Sequence, residues 1–403
     1  MATVFRPVAL LCALGWSRGA LAQAAPDPVG AWRATLDLTG GALPFTLRIE
    51  GGRGRWSGQL CNAAECQAIS RIRMEGDSLV LELADYAASV AAVQRGDSLV
   101  GRYHNVGRRG PRTIPFRAAR GASPHAVAPP ALLGRWDAWF QNGFDATPRV
   151  IQIEQTASGV EGTVISNSGD YGRFAGAMAG DTLQLGHFDG SFVYLLTAQL
   201  DGDTLRGIFH AGLRSQTPFV AVRSTGSRHL TPPTEVTRAD STVPFRFAAP
   251  DLDGHLVSST DARFRGKVVL LDIFGSWCPT CHEAAPLLVE LERDFHSRGL
   301  EVVGLAFEVA GDTAIDAPQV RRYRDKFGIT FPLLLGGTSD VETVAALLPG
   351  LVGFTAFPTT IFLGRDGGVR RIHAGFYGAV TGAAHTALVA EFRREVERLL
   401  SEE

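Results

Sequence analysis

Two stretches of this chain are written twice. Gly30-Ala31-Trp32-Arg33 recurs as Gly134-Arg135-Trp136-Asp137, and Gly96-Asp97-Ser98-Leu99-Val100-Gly101-Arg102-Tyr103-His104 recurs as Gly202-Asp203-Thr204-Leu205-Arg206-Gly207-Ile208-Phe209-His210, at offsets of 104 and 106 residues. A segment duplicated at so regular an offset predicts one folding unit made twice. Within each copy, apolar and polar residues alternate over 46–50, 78–83, 149–155 and 182–185, with Gly-Asp pairs between runs. That is the pattern of short antiparallel strands joined by tight turns. The expectation is therefore a small antiparallel barrel or sandwich over 28–122 and another over 130–225. Pro-rich stretches at 119–132 and 224–244 read as linkers, since proline cannot continue a sheet ladder. His104 and His210 occupy matching places and are read as packing residues, because neither copy supplies the His or Cys neighbours a metal needs.

The first 22 residues hold Arg6 as their only early charge, an apolar run over 8–16 and the small-x-small triplet Ala20-Leu21-Ala22. This predicts a secretory signal peptide that is removed on export. Its apolar core is far short of the ~20 residues of a membrane span, and no other segment is a candidate. Leu11 before Cys12 argues against a lipoprotein site there. A net charge of −2 gives no footprint for a nucleic-acid partner. With 403 residues and 45% hydrophobic content, the chain can bury several cores.

Without Cys12, the cysteines form two pairs. Cys61 and Cys66 flank a turn between runs 55–60 and 67–73, where an exported protein is expected to carry a structural disulfide. The second pair lies in Trp277-Cys278-Pro279-Thr280-Cys281, where the apolar run 268–274 hands over to an amphipathic helix over 279–296. A cysteine at a helix start meets unpaired N–H groups and the positive end of the helix dipole, which favour thiolate over thiol. Cys278 is thus the candidate nucleophile. Cys281, one turn on, is placed to attack a mixed disulfide on Cys278. A zinc half-site is the competing reading, but no second pair follows with ligand spacing. Pro279 suits the first helical turn, where its missing N–H costs nothing.

After residue 243 strands alternate with helices: a strand over 301–307, a helix over 318–327, a hairpin of 359–363 with 369–373 around Asp366-Gly367, and a terminal helix over 384–400. This is an α/β layer plan. Asp272, six residues before Cys278, is either an ordinary strand acid or a carboxyl raised in pKa by an apolar setting and able to take a proton from Cys281. Glu308 is a second candidate proton carrier. His282 reads as a helix-surface residue without a role, and 311–317 as an inserted loop.

The region 243–403 resembles TlpA/ResA-type thioredoxin-fold thiol–disulfide oxidoreductases. The resemblance rests on Gly266-Lys267 before the apolar strand, the Trp-Cys-Pro-Thr-Cys core, Pro286 and Phe357-Pro358-Thr359-Thr360; His373-Ala374-Gly375-Phe376 also matches subfamily members. It implies that Pro358 is a cis-proline opposite the dithiol, that the backbone of Phe357 pairs with an extended substrate, that Trp277 walls the docking surface and that Asp272 lies buried beneath the sulfurs. Such proteins often carry a Glu three residues after the second cysteine. Here that place is Ala284, and Glu283 stands one residue early, which turns its carboxylate ~100° about the helix. Cys-Pro-Thr-Cys is similar to the motif of cytochrome c maturation proteins. More loosely, the Gly-x-Trp openings resemble lipocalin-like barrels.

The predicted architecture is therefore multidomain: two tandem antiparallel β-barrel or sandwich domains followed by an α/β thioredoxin-like domain. The expected function is an exported, periplasmic or extracytoplasmic thiol–disulfide oxidoreductase with no cofactor beyond its Cys278–Cys281 disulfide and no metal. Its expected partners are cysteine-containing extracytoplasmic clients and a membrane thiol relay as electron donor. Three alternatives stand beside it: a peroxiredoxin-like peroxidase, a copper-delivery protein using both cysteines and a histidine such as His373, and an adaptor whose β-domains recruit clients.

Overall fold

The computed structural model describes residues 27–52, 54–107, 110–122, 126–142, 145–226 and 229–402. The expected leader over 1–22, with Cys12, lies outside them.

Among the described residues, the first unit is a nine-stranded antiparallel meander. Strand Gly30–Leu38 sits in its middle, between Gly41–Gly52 and Gly110–Arg120, and the sheet ends at Glu65–Ala68 on one side and Arg71–Glu75 on the other. In the second unit eight strands close on themselves, because Asp145–Thr156 pairs both with Gly134–Asn142 and with Gly159–Ser166. The two copies thus differ: one is a closed barrel and the other stays open. The open sheet completes its core by borrowing Phe188, Val193 and Leu195 from the barrel. The side-chain amide of Asn62 ties the same contact, donating to Phe188 O and accepting from Phe188 N, each at 3.1 Å.

The duplication is visible in side-chain detail. Gly30 and Gly134 both take positive φ, 134° and 109°, which admits glycine and little else. The indole N–H of Trp32 donates to Pro28 O at 2.9 Å and that of Trp136 to Leu132 O at 3.0 Å. Arg120 and Arg223 lie over these rings, 4.3 and 4.0 Å from their centroids. The two histidines, by contrast, do not share an environment. His104 is exposed beside Thr113, whereas His210 is buried against Gly40 of the first unit, where any Cβ would overlap its ring.

Cys61 and Cys66 are joined in a disulfide across the hairpin of Arg55–Asn62 and Glu65–Ala68. The expected second strand of that hairpin, 67–73, is broken in two. Ile69 N bonds back to Gly58 O, Ser70 N turns to Glu82 O, and Arg71–Glu75 then pairs with Ser78–Leu83 instead.

The third unit has a central five-stranded sheet. Its strands are β1 (Val268–Phe274), β2 (Leu300–Glu308), β3 (Leu333–Thr338), β4 (Thr359–Leu363) and β5 (Val369–Ala374), in the order β3-β2-β1-β4-β5. β1 runs parallel to β2 and antiparallel to β4. Its helices are α1 (Pro279–Phe295), α2 (Thr313–Phe327), α3 (Val341–Leu347) and α4 (Ala383–Ser401). Every residue of β1 is buried, as an unbroken apolar run in a two-sided sheet should be. Val268, Leu270 and Phe274 pack towards Leu288 and Phe392, while Val269, Leu271 and Ile273 face Phe264 and Val344. Ahead of this sheet, Arg238–Ala239 pairs with Leu351–Val352.

One expected loop is helical. α2 begins at Thr313 rather than Pro318, because the Asp312 side chain accepts from Ala314 N at 2.9 Å and caps the helix early.

Replacing Trp136 by alanine should cost the protein about 3–5 kcal/mol in chemical denaturation, since a fully buried indole and its hydrogen bond are both lost. A loss below about 1 kcal/mol would contradict this account of the duplicated unit.

Candidate active site

The buried strand β1 delivers its C-terminal end to a short turn, and the turn delivers Cys278 to the start of α1. Cys278 has extended backbone angles and serves as the N-cap, with its carbonyl accepting from Cys281 N at 3.0 Å and His282 N at 3.2 Å. The two cysteines are free thiols. Opposite them the Phe357–Pro358 bond is cis, and Cys278 Sγ donates to Phe357 O at 3.7 Å. Cys278, Cys281, Trp277, Phe357 and Pro358 are therefore brought together, with Trp277 and Phe357 edge-to-face at 5.5 Å between centroids.

Burial, the neighbouring Cys278 and the charge of Asp272 together push the Cys281 thiol well above the ordinary cysteine range, so it keeps its proton. Asp272 is 2% exposed, and burial lifts its carboxyl to about 7, although a hydrogen bond from Thr360 Oγ1 at 2.9 Å opposes the rise.

Glu308 lies at the end of β2 and is buried. Its carboxylate accepts from Ser276 N at 2.7 Å and Ser276 Oγ at 2.6 Å, which fixes the turn immediately before Trp277. Burial raises it to about 7 as well. The indole N–H of Trp277 donates to Phe307 O on the same strand.

His282 is not the solvated residue that its place after the dithiol suggested. Its Nε2 lies 2.7 Å from Ser276 O and its Nδ1 3.1 Å from Lys326 Nζ. Its ring packs on Tyr86 and Tyr323, each 5.0 Å between centroids. Burial, and then the charge of Lys326, lower it to about 4, so it stays neutral. Lys326 pairs in turn with Asp85 at 2.6 Å.

Tyr86 and Asp85 belong to the first β-unit, and they are part of a wider contact that the sequence did not signal. Ser191 Oγ donates to Trp277 O at 3.1 Å, and Gly378 N donates to Asp170 Oδ2 at 2.6 Å. Gly169 bridges Phe376, and a Cβ on Gly375 would fall 1.8 Å from Ser168 O, so only glycine allows this approach. The β-units therefore lie over the first turn of α1, and Cys278 and Cys281 are left 2% and 1% exposed. Around this seam are Glu65, Asp170 and Glu283, each raised first by burial. Beside them, burial disfavours the charged form of His187, but its hydrogen bond to Asp189 at 3.0 Å helps outweigh this and raise its pKa. Glu283 thus faces the β-units, and its carboxylate packs against Gly378.

Among the described residues no cluster of His, Cys, Asp or Glu is placed to hold a metal ion, and no helix is long and apolar enough to cross a membrane. His373 packs edge-on against Phe392, 5.0 Å between centroids.

A family model described as Redoxin matches residues 238–383. The thiol–disulfide oxidoreductase ResA of Geobacillus thermodenitrificans (strain NG80-2) is 31% identical over 129 residues, 32% of this chain and 66% of ResA. The thioredoxin-like protein YneN of Bacillus subtilis (strain 168) is 30% identical over 132 residues, 32% of this chain and 68% of YneN. A crystal structure of a thioredoxin-family thiol:disulfide interchange protein from Chlorobium tepidum TLS is 25% identical, covering 41% of this chain and 98% of that one with a TM-score of 0.31. The chain thus spans just under two thirds of the length of ResA. Through its third unit, and with the coverage and identity it shares with YneN, the chain belongs to the redoxin family of thioredoxin-like proteins.

Proposed function

We propose that this protein is an exported thiol–disulfide oxidoreductase that reduces disulfides in cysteine-containing extracytoplasmic proteins. The observation that carries the reading is the dithiol at the start of α1 facing the cis Phe357–Pro358 bond. Cys278 as thiolate attacks one sulfur of a client disulfide, forming a mixed disulfide and releasing the other client sulfur as thiolate. Cys281 then attacks Cys278, the Cys278–Cys281 disulfide closes, and the second client sulfur leaves. The client gains two electrons and the dithiol loses them. A thiol relay in the membrane returns the pair. Asp272 takes the proton that Cys281 must lose, which suits a carboxyl near 7 lying beneath it. Phe357 presents its carbonyl at the sulfur and pairs with the client backbone as an added strand. The leader-like residues 1–22 and the Cys61–Cys66 disulfide support an oxidising compartment outside the cytosol. The Cys-Pro-Thr-Cys motif makes apocytochrome c one client class to test.

Cys278→Ser should abolish reduction of insulin disulfides, whereas Cys281→Ser should accumulate a mixed disulfide on Cys278. Undiminished insulin reduction by either variant would contradict the assignment.

The role of Asp272 has a pH signature with a definite sign. Its carboxyl is raised from 3.8 to about 7, so between those values the folded protein keeps a proton that the unfolded chain has lost. Stability contributed by the protonated group is complete at low pH and declines as pH rises towards 7, by up to about 4 kcal/mol. Asp272→Asn should flatten that decline in denaturation curves across pH 4–8. It should also remove the rise in the rate of mixed-disulfide resolution near pH 7. A variant with the unmutated protein's pH profile in both measurements would rule out Asp272 as the proton acceptor.

A further inference from the structure

A cleft of about 510 Å³ opens where the three units meet. Residues 105–107 and 110–113 of the first unit form one wall, and residues 191–194 and 211–215 of the barrel form the other. Trp277, whose peptide carbonyl is held by Ser191 Oγ, closes its inner end beside Val309. Tyr86 lines it at 6% exposure. Among the described residues that line it, the charged side chains are Arg112 and Arg214. Arg112 is anchored to Asn105 Oδ1 and Ser191 O, while Arg214 is exposed at the rim.

We propose that this cleft is the client-binding site of the redox centre, and that it takes an extended cysteine-bearing polypeptide segment with apolar and acidic side chains next to the cysteine. The inference rests on the oxidoreductase reading and adds to it where the client lies and what it looks like. Cys278 and Cys281 are 2% and 1% exposed, and the cleft is walled by Trp277, the residue next to Cys278, so a segment seated there lies beside the nucleophile. Val106, Phe192, Leu213, Val309 and Trp277 supply apolar walls. The volume falls within the ~300–1,000 Å³ of ordinary ligand sites, so it holds a few residues of chain at a time.

The test uses full-length Cys281→Ser protein and short apolar peptides whose single cysteine is capped as a mixed disulfide with thionitrobenzoate. Attack by Cys278 on the peptide sulfur forms the Cys278–peptide disulfide and releases the coloured thiolate. A peptide with glutamates beside the cysteine should react about tenfold faster than its lysine counterpart. Arg214→Glu should erase or invert that preference. Raising the ionic strength of the unmutated-cleft protein to about 1 M, where the Debye length is ~3 Å, should also shrink the preference without any further mutation. Equal rates for the two peptides, a preference untouched by Arg214→Glu and by salt, or a glutathione mixed disulfide outpacing the acidic peptide would overturn the proposal. The oxidoreductase reading fails separately, if the dithiol of the unmutated protein does not exchange with dithiothreitol.

Discussion

The complete burial of strand β1 is the constraint on which the rest of the site depends. A strand covered on both faces cannot slip by a residue without exchanging the side chains that its two cores receive and moving Asp272 away from Thr360. Its register therefore fixes three things at once. Asp272 is held inside, under Thr360 and near Cys281. Ser276 is set against Glu308 on the neighbouring strand. Cys278 arrives where α1 begins and its carbonyl closes the first turn. The chemistry is local, but its geometry is set by packing across the whole sheet.

A second constraint comes from the β-units. They are a cover as well as a neighbour, since Asp170 and Ser191 reach the loops that carry Gly378 and Trp277, and Tyr86 reaches His282 in the first turn of α1. Their open sheet and closed barrel share core residues, so they present one continuous surface to the redox unit. The cover desolvates Cys281, Glu283 and His282 together and so spreads their protonation behaviour apart. It also leaves a cleft beside Trp277 and a smaller cavity against Pro279 and Thr280.

Much of this was legible in the sequence. The duplicated Gly-x-Trp openings announced two related β-units because glycine and tryptophan there answer a local need, a positive φ and an indole bonded four residues back. β1, α1 and the β4–β5 hairpin were readable from apolar runs and turn residues. Closure was not readable: the barrel closes because Gly159–Ser166 pairs both with Asp145–Thr156 and with Phe174–Ala179, whereas Glu65–Ala68 and Arg71–Glu75 stay at opposite edges of the open sheet, and no turn residue records that difference. Nor was the burial of His282 or the contribution of Tyr86, Asp170 and Ser191. These depend on how three units pack, and no residue pattern along one segment records a contact made by another. Asp312 as a cap was visible in principle, and overlooking it turned the first turn of α2 into a loop.

The central claim is that Cys278 and Cys281 form one reversible two-electron couple. The most direct measurement is to equilibrate the full-length protein in graded thiol–disulfide buffers and assign the disulfides at each step by peptide mass. The account predicts a single transition in which a Cys278–Cys281 disulfide forms and is lost reversibly. A protein whose Cys278 and Cys281 never bridge at any buffer potential, or bridge only to Cys61 or Cys66, would contradict it.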